Sequence, residues 1–349
     1  MQPCSRLHAV YGWLRSHRKT SAAITIFLGF VLLNVWAFRH AWAMTHFSSG
    51  GKSTIRPEEM SMLGRAAVLL TGVNLPRPAN DRTPGDLNLP FETRRLRAAD
   101  GIELEAWYVP HSDSRATVVL FHGYGTCKSK LLNEAGAFHD LRCNTLLVDF
   151  RGSGGSGGNA TTLGMFEAHD VAAACELART LGPQVPLVLY GRSMGSVAIL
   201  RAIAREGVRP DAAILECPFD RLLGTVAHRF SAMGLPSFPC AELLVFWGGV
   251  QHGMNGFAHN PVEYASRVDC PVLLLHGERD RRVSVAEVEA VSKNLAGKKR
   301  LEIFPDVGHE ACYRTRPDLW LQHVAAFLQD VTGHDLPSDG QSPTEDEGR

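Results

Sequence analysis

Residues 186–195 read PLVLYGRSMG, an apolar run of strand length that ends in Gly-x-Ser-x-Gly. The helical pattern MGSVAILRAIAR, 194–205, follows at once. A serine set between a strand and a helix has a particular use. The sharp turn pushes Ser193 into an uncomfortable backbone conformation and lifts its hydroxyl above the strand ends. Gly191 and Gly195 let strand and helix approach without a side-chain clash. The helix start then offers backbone N–H groups, that of Met194 first, and a positive dipole end to a developing oxyanion. A plain turn serine is the competing reading, and the strand-turn-helix setting weighs against it.

Outward from this turn, short apolar runs recur at 117–121 (TVVLF), 145–150 (TLLVDF), 212–215 (AAIL), 271–276 (PVLLLH) and 300–304 (RLEIF). Helical patterns at 165–181, 285–295 and 317–331 alternate with them, and Asp100-Gly101 marks a hairpin ahead of them. Near-continuous apolar strands alternating with helices predict a mostly parallel sheet covered on both faces. Ligands of such sheets bind beyond the carboxyl ends of the strands. Asp280, in HGERD, and His309, in DVGHE, follow the last two runs, and Tyr124, in HGYG, follows the first. The order Ser…Asp…His suits a triad in which His309 takes the Ser193 proton and Asp280 holds the imidazole in the right tautomer. The backbone N–H groups of Tyr124 and Met194 would form the oxyanion hole. His122 is expected to tie down its own loop and is given no catalytic role.

These motifs carry a resemblance. With DFRGSGGSGG (149–158) they make residues 91–331 similar to the α/β-hydrolase superfamily, nearest its serine aminopeptidase-like and prolyl-oligopeptidase-like branch with small caps. The resemblance implies an α/β fold with helices on both faces of the sheet and a small helical cap, here the long insertion 220–267. It also implies a serine hydrolase working through Ser193, His309 and Asp280. Substrate does not follow, because one fold hosts many chemistries. A carboxylic ester leads. A thioesterase, a peptidase and a non-catalytic binding protein remain as alternatives.

Some residues invite other readings. Asp220 is a substitute acid one strand earlier, ranked behind Asp280. Residues 152–157 fit G-x-G-x-x-G, and Glu176 stands at the spacing of a ribose contact. The strand before them is not the first of its domain, and the helix begins too late for a pyrophosphate to reach its N-terminus. No cofactor is expected. His309-Glu310 begins no H-E-x-x-H, and the 8 cysteines include no C-x-x-C, so no metal is expected either. Asn159-Ala160-Thr161 is a glycosylation sequon, meaningful in a eukaryotic source alone.

The two ends differ from this middle. Residues 20–38 carry no charge and include AAITIFLGFVLLNVWAF, enough for roughly 28 Å of helix, the span of a bilayer's hydrocarbon core. Arg6, Arg15, Arg18 and Lys19 precede the run, whereas Arg39 alone lies close behind, which puts the N-terminus in the cytoplasm and the bulk of the chain on the outer side. Ala41-Trp42-Ala43 has the form of a signal-peptidase site, so a cleaved signal is the alternative to an anchor. The expected order is therefore a basic segment 1–20, an anchor 21–40, a linker 41–90 with a short helix at 57–70, the hydrolase domain 91–331, and a disordered acidic tail 332–349. With 36 basic and 36 acidic residues the chain has no net charge, which argues against a nucleic-acid partner. The expected partners are a small ester or acyl substrate and a membrane.

Overall fold

The computed structural model describes residues 18–54 and 60–333. The basic segment before residue 18, the first residues of the helix expected at 57–70, and the acidic tail from 334 lie outside the described residues.

Eight strands form one sheet in the order β1-β2-β4-β3-β5-β6-β7-β8. They are β1 Glu92–Arg97, β2 Glu103–Val109, β3 Ala116–Phe121, β4 Cys143–Val148, β5 Leu187–Arg192, β6 Ala212–Glu216, β7 Val272–Gly277 and β8 Lys299–Phe304. The first hairpin pairs antiparallel, β2 pairs antiparallel with β4, and every other pairing is parallel. The two-residue period of a strand divides each apolar run between two cores. Val119 and Phe121 of β3, Leu187 and Leu189 of β5, and Val272 and Leu274 of β7 face one core. Val118, Leu120, Val188, Tyr190, Leu273 and Leu275 face the other.

Helices seal both faces. On the first lie α4 (Glu167–Leu181), α5 (Met194–Arg205) and α9 (Val285–Asn294), packed through Val171, Ile199 and Val288 among others. On the second lie α3 (Leu132–Asp140) and α11 (Pro317–Thr332), packed through Phe138, Trp320 and Val324. Helix α3 was not expected, because its nine residues give too short a period to stand out from the loop before it. The α10 turn, Cys312–Thr315, leads into α11.

Three expected boundaries change. The insertion 220–267 contains α6 (Leu222–Ala232), α7 (Cys240–His252) and α8 (Pro261–Ala265). Helix α8, however, puts Val262, Tyr264 and Ala265 into the same core as α5, so it belongs to the sheet's helical layer and the cap ends before it. The short linker helix α2 covers Met62–Thr71, with Ser61 accepting a hydrogen bond from the Gly64 N–H at its start. The apolar N-terminal helix α1 runs unbroken over Arg18–Thr45, past the expected end at residue 40. It is long and apolar enough to cross a membrane. Its last turns are not free: Ala37 and Ala41 are buried with Ala241 and Leu244 of α7 and Phe230 of α6. Trp247 Nε1 donates to Asn34 at 3.1 Å, Gln251 Nε2 to the Phe38 carbonyl at 2.8 Å, and Trp36 Nε1 to the Leu69 carbonyl of α2 at 2.6 Å.

His259 closes the cap onto the body. Its fully buried ring lies between the Tyr264 hydroxyl and the Leu163 carbonyl, each at 3.1 Å. Burial pushes its pKa down to about 4. Between the ordinary value near 6.5 and that lowered value, the unfolded chain binds a proton the folded chain refuses, so stability is lost as pH falls through this window. Urea midpoints measured from pH 7 to 4.5 should fall less steeply in His259→Gln than in the wild type. Parallel curves would remove the assignment.

Candidate active site

Ser193 sits between β5 and α5 with φ 52° and ψ −113°, a left-handed conformation that a residue with a Cβ adopts at a cost. Its N–H donates to the Glu216 carbonyl of β6 at 2.7 Å, and Ser196 Oγ donates to the Gly191 carbonyl at 2.7 Å. The flanking glycines are spatial requirements. A Cβ on Gly195 would stand 2.3 Å from the Phe121 carbonyl oxygen, and one on Gly191 would stand 2.6 Å from the Ser196 nitrogen.

The partners expected from sequence meet here. His309 Nε2 lies 3.2 Å from Ser193 Oγ, and Nδ1 lies 2.7 Å from Asp280 Oδ2. The other Asp280 oxygen accepts the N–H groups of Arg282 at 2.8 Å and Val283 at 3.0 Å. Burial works to raise the Asp280 pKa, but the hydrogen bond and charge of His309, with the two amide donors, outweigh it and hold the carboxyl below its ordinary range. Asp220 takes no part in this chain of bonds and lies 3.9 Å from Arg221.

Gly123 lies against the turn, where an added Cβ would be 3.4 Å from the Arg192 carbonyl oxygen and 3.7 Å from Ser193 Cβ. Tyr124 is the next residue along this loop, and Met194 is the first residue of α5. His122 accepts the Phe150 N–H at Nε2, 3.0 Å, and Nδ1 faces the Gly123 carbonyl at 2.9 Å, so both ring nitrogens are spent on shaping this loop. The Tyr124 hydroxyl donates to the Met44 carbonyl near the end of α1 at 2.5 Å, and Arg229 of α6 lies over its ring at 5.2 Å. The loop beside the serine is thus tied to both the N-terminal helix and the cap.

Sequence reasoning missed two supports. Glu216, fully buried at the end of β6, accepts from the Tyr190 hydroxyl at 2.9 Å and from the Cys312 N–H at 3.0 Å, which pins the segment just after His309. Burial raises its pKa to about 8. Lys128, also fully buried, bonds Asp149 and, at 3.0 Å, Glu105, with its ammonium 4.2 Å from the Trp107 ring centre. This pair explains the glycine-rich loop. A Cβ on Gly154 would overlap the Asp149 carboxylate and one on Gly155 the Glu105 carboxylate, so these glycines pack on acidic groups. Helix α4 begins only at Glu167. Cys217, His276 and Asp280 bring possible ligand atoms within 4.8 Å of one another, yet both Asp280 oxygens already serve His309 and the two amides.

Known proteins resemble this chain in sequence and fold. Residues 112–236 match the family described as serine aminopeptidase, S33. An uncharacterized protein of Mycobacterium tuberculosis is 31% identical over 242 residues, 68% of this chain and 78% of that protein. The monoacylglycerol lipase of Mycolicibacterium smegmatis is 24% identical over 264 residues, 65% of this chain and 92% of the lipase. Among solved structures, an esterase of Pyrococcus furiosus superposes with a TM-score of 0.60 at 25% identity, covering 74% of this chain and 97% of the esterase.

The glycine contacts make a direct prediction. In Gly195→Ala the new methyl meets a backbone carbonyl that cannot rotate aside, so α5 must shift from β3. A loss of about 1–3 kcal/mol in unfolding free energy is expected by urea titration. An unchanged midpoint would mean the turn has slack that this geometry lacks.

Proposed function

Because this chain belongs to the α/β-hydrolase superfamily, we propose that it is a membrane-anchored serine hydrolase that cleaves carboxylic esters through an acyl-enzyme. The continuous hydrogen-bonded chain Asp280–His309–Ser193, ending on a strained serine, carries this reading. As Ser193 Oγ attacks the ester carbonyl, His309 Nε2 takes its proton and Asp280 stabilises the resulting imidazolium. The backbone N–H groups of Tyr124 and Met194 receive the carbonyl oxygen as it becomes an oxyanion. His309 then returns the proton to the departing alkoxide, leaving an acyl-serine. Water, deprotonated by the same imidazole, releases the acid.

Anchoring is supported by where the cap touches α1. Asn34 lies inside the uncharged run, and Trp247 of α7 bonds to it. The cap helix therefore reaches the depth of the apolar segment. Phe246 and Val250 beside it are exposed, as are Met62, Leu63 and Leu70 of α2. So much exposed apolar surface near α1 supports the reading of a membrane face. An apolar groove of about 450 Å³ runs between Trp247 and Phe30, Val31, Val35 and Phe38 of α1. The basic residues ahead of the uncharged run favour a cytoplasmic N-terminus with the hydrolase domain on the outer side. Cleavage after Ala43 would strip Ala37 and Ala41 from the cap, which favours an anchor over a removed signal. Acyl esters dissolved in the bilayer then suit the site better than freely soluble ones.

Replacing Ser193 by Ala should abolish both ester turnover and labelling by a fluorophosphonate probe, with turnover falling by up to about 10⁶-fold. Labelling that persists in Ser193→Ala would sink the assignment.

A further inference from the structure

Beside Asp280 lies a cavity of about 280 Å³ that the ester chemistry does not use. It opens between α2, α6 and the loop after β7, and its lining includes Arg65, His228, Ser231, Asp280 and Arg281. We propose that this cavity binds the anionic phosphate headgroup of a lysophospholipid whose acyl ester lies at Ser193. The proposal rests on the esterase reading above and names its substrate class.

Charge favours an anion. Arg65 and Arg281 make no ion pair among the described residues, whereas the nearby Arg279 pairs with Asp306. Arg65 Nη1 donates to the Met233 carbonyl at 3.3 Å, which orients the guanidinium, while its buried Nε has no hydrogen-bond partner. A buried donor left unmade is costly, so a ligand oxygen that satisfies it gains more than the same contact would in water. Guanidinium groups are also the side chains best matched to phosphate. The opposing carboxylate, Asp280, has both oxygens engaged by His309 and by backbone amides. Glu287 Oε2 is held in its own helix cap by the Ser284 N–H at 2.7 Å and hydroxyl at 2.9 Å, with His228 Nδ1 at 3.4 Å, while its Oε1 is buried without a hydrogen-bond partner outside the cavity lining.

Position selects a lipid as the source of that phosphate. Arg65 lies one turn before Val68, whose carbonyl faces His40 of α1 at 3.2 Å. The cavity therefore stands level with the emergence of α1 from its apolar run, where headgroups lie and arginines reach out along their apolar stems. One imidazole and two hydrogen bonds separate Asp280 from Ser193 Oγ.

The test uses the full chain in phosphatidylcholine vesicles, with 1-oleoyl lysophosphatidylglycerol and 1-oleoylglycerol as paired substrates. The ratio of their kcat/KM values should fall tenfold or more in Arg281→Ala and in Arg65→Ala, through KM for the anionic lipid, and Arg281→Lys should restore part of it. An unchanged ratio in both alanine variants overturns the site. Calorimetric titration of Ser193→Ala with the lysophospholipid supplies a readout independent of turnover. Affinity that drops tenfold when Arg281→Ala is added sustains the pocket, and equal affinity removes it. If the wild type hydrolyses neither ester, the esterase reading fails while the titration still decides the pocket. Inorganic phosphate that displaces the lysolipid in an Arg281-dependent way would make this a free-phosphate site and overturn the lipid assignment.

Discussion

The close approach of two backbones at the head of β5 governs this molecule. Helix α5 comes so near β3 that an added Cβ on Gly195 would stand 2.3 Å from the Phe121 carbonyl oxygen. A serine at φ 52° is held at a cost of order 1–3 kcal/mol, and it persists because its surroundings over-determine it. The Ser193 N–H is taken by β6, and Ser196 Oγ is taken by both Gly191 and Glu216. The hydroxyl therefore points away from the sheet before any substrate arrives. His309 and Asp280 arrive from the ends of the next two strands because parallel strands all finish on one side of the sheet.

That logic explains what could be read from the amino-acid string. The apolar strands, the glycines and the three polar residues at strand ends are local patterns, each visible within about ten residues. The supports are not local. Lys128 finds Asp149 across 21 positions, Tyr124 finds Met44 across 80, and Glu216 finds Cys312 across 96. No periodicity marks such pairs, since each residue alone reads as an ordinary polar group. The cap boundary failed for a related reason. Insertion length shows where the chain leaves the sheet, but only the burial of Val262 and Tyr264 shows where it returns.

The N-terminal helix is more than a tether. Composition separates it from the domain, whereas packing joins them through Trp247, Gln251, Ala37 and Ala41. Its carbonyl at Met44 holds the side chain of Tyr124, next along the chain from the Gly123 that lies against Ser193. Any movement of α1 is thereby felt at the loop beside Ser193. Separating the domain from this helix would expose Phe230, Ala241 and Leu244 of the cap and release the Tyr124 hydroxyl. Activity measured without α1 would then report on an altered site.

Net neutrality also takes on a different meaning. Acidic and basic residues balance over the whole chain, but they are sorted in space. Beside His309, both oxygens of Asp280 and one of Glu287 are held in internal bonds, while two guanidinium groups line the open cavity. A peptide substrate with a free amino terminus would bring an ammonium against those arginines, with no uncommitted carboxylate in that lining to receive it. An anionic lipid brings the opposite charge into a partly desolvated cleft, where the attraction is stronger than in open water. The same protein core can serve a peptidase or an esterase, so the discrimination must come from what surrounds it. Here the surroundings are cationic, apolar and set against a helix long and apolar enough to cross a membrane, and all three properties favour a charged headgroup on an oily chain.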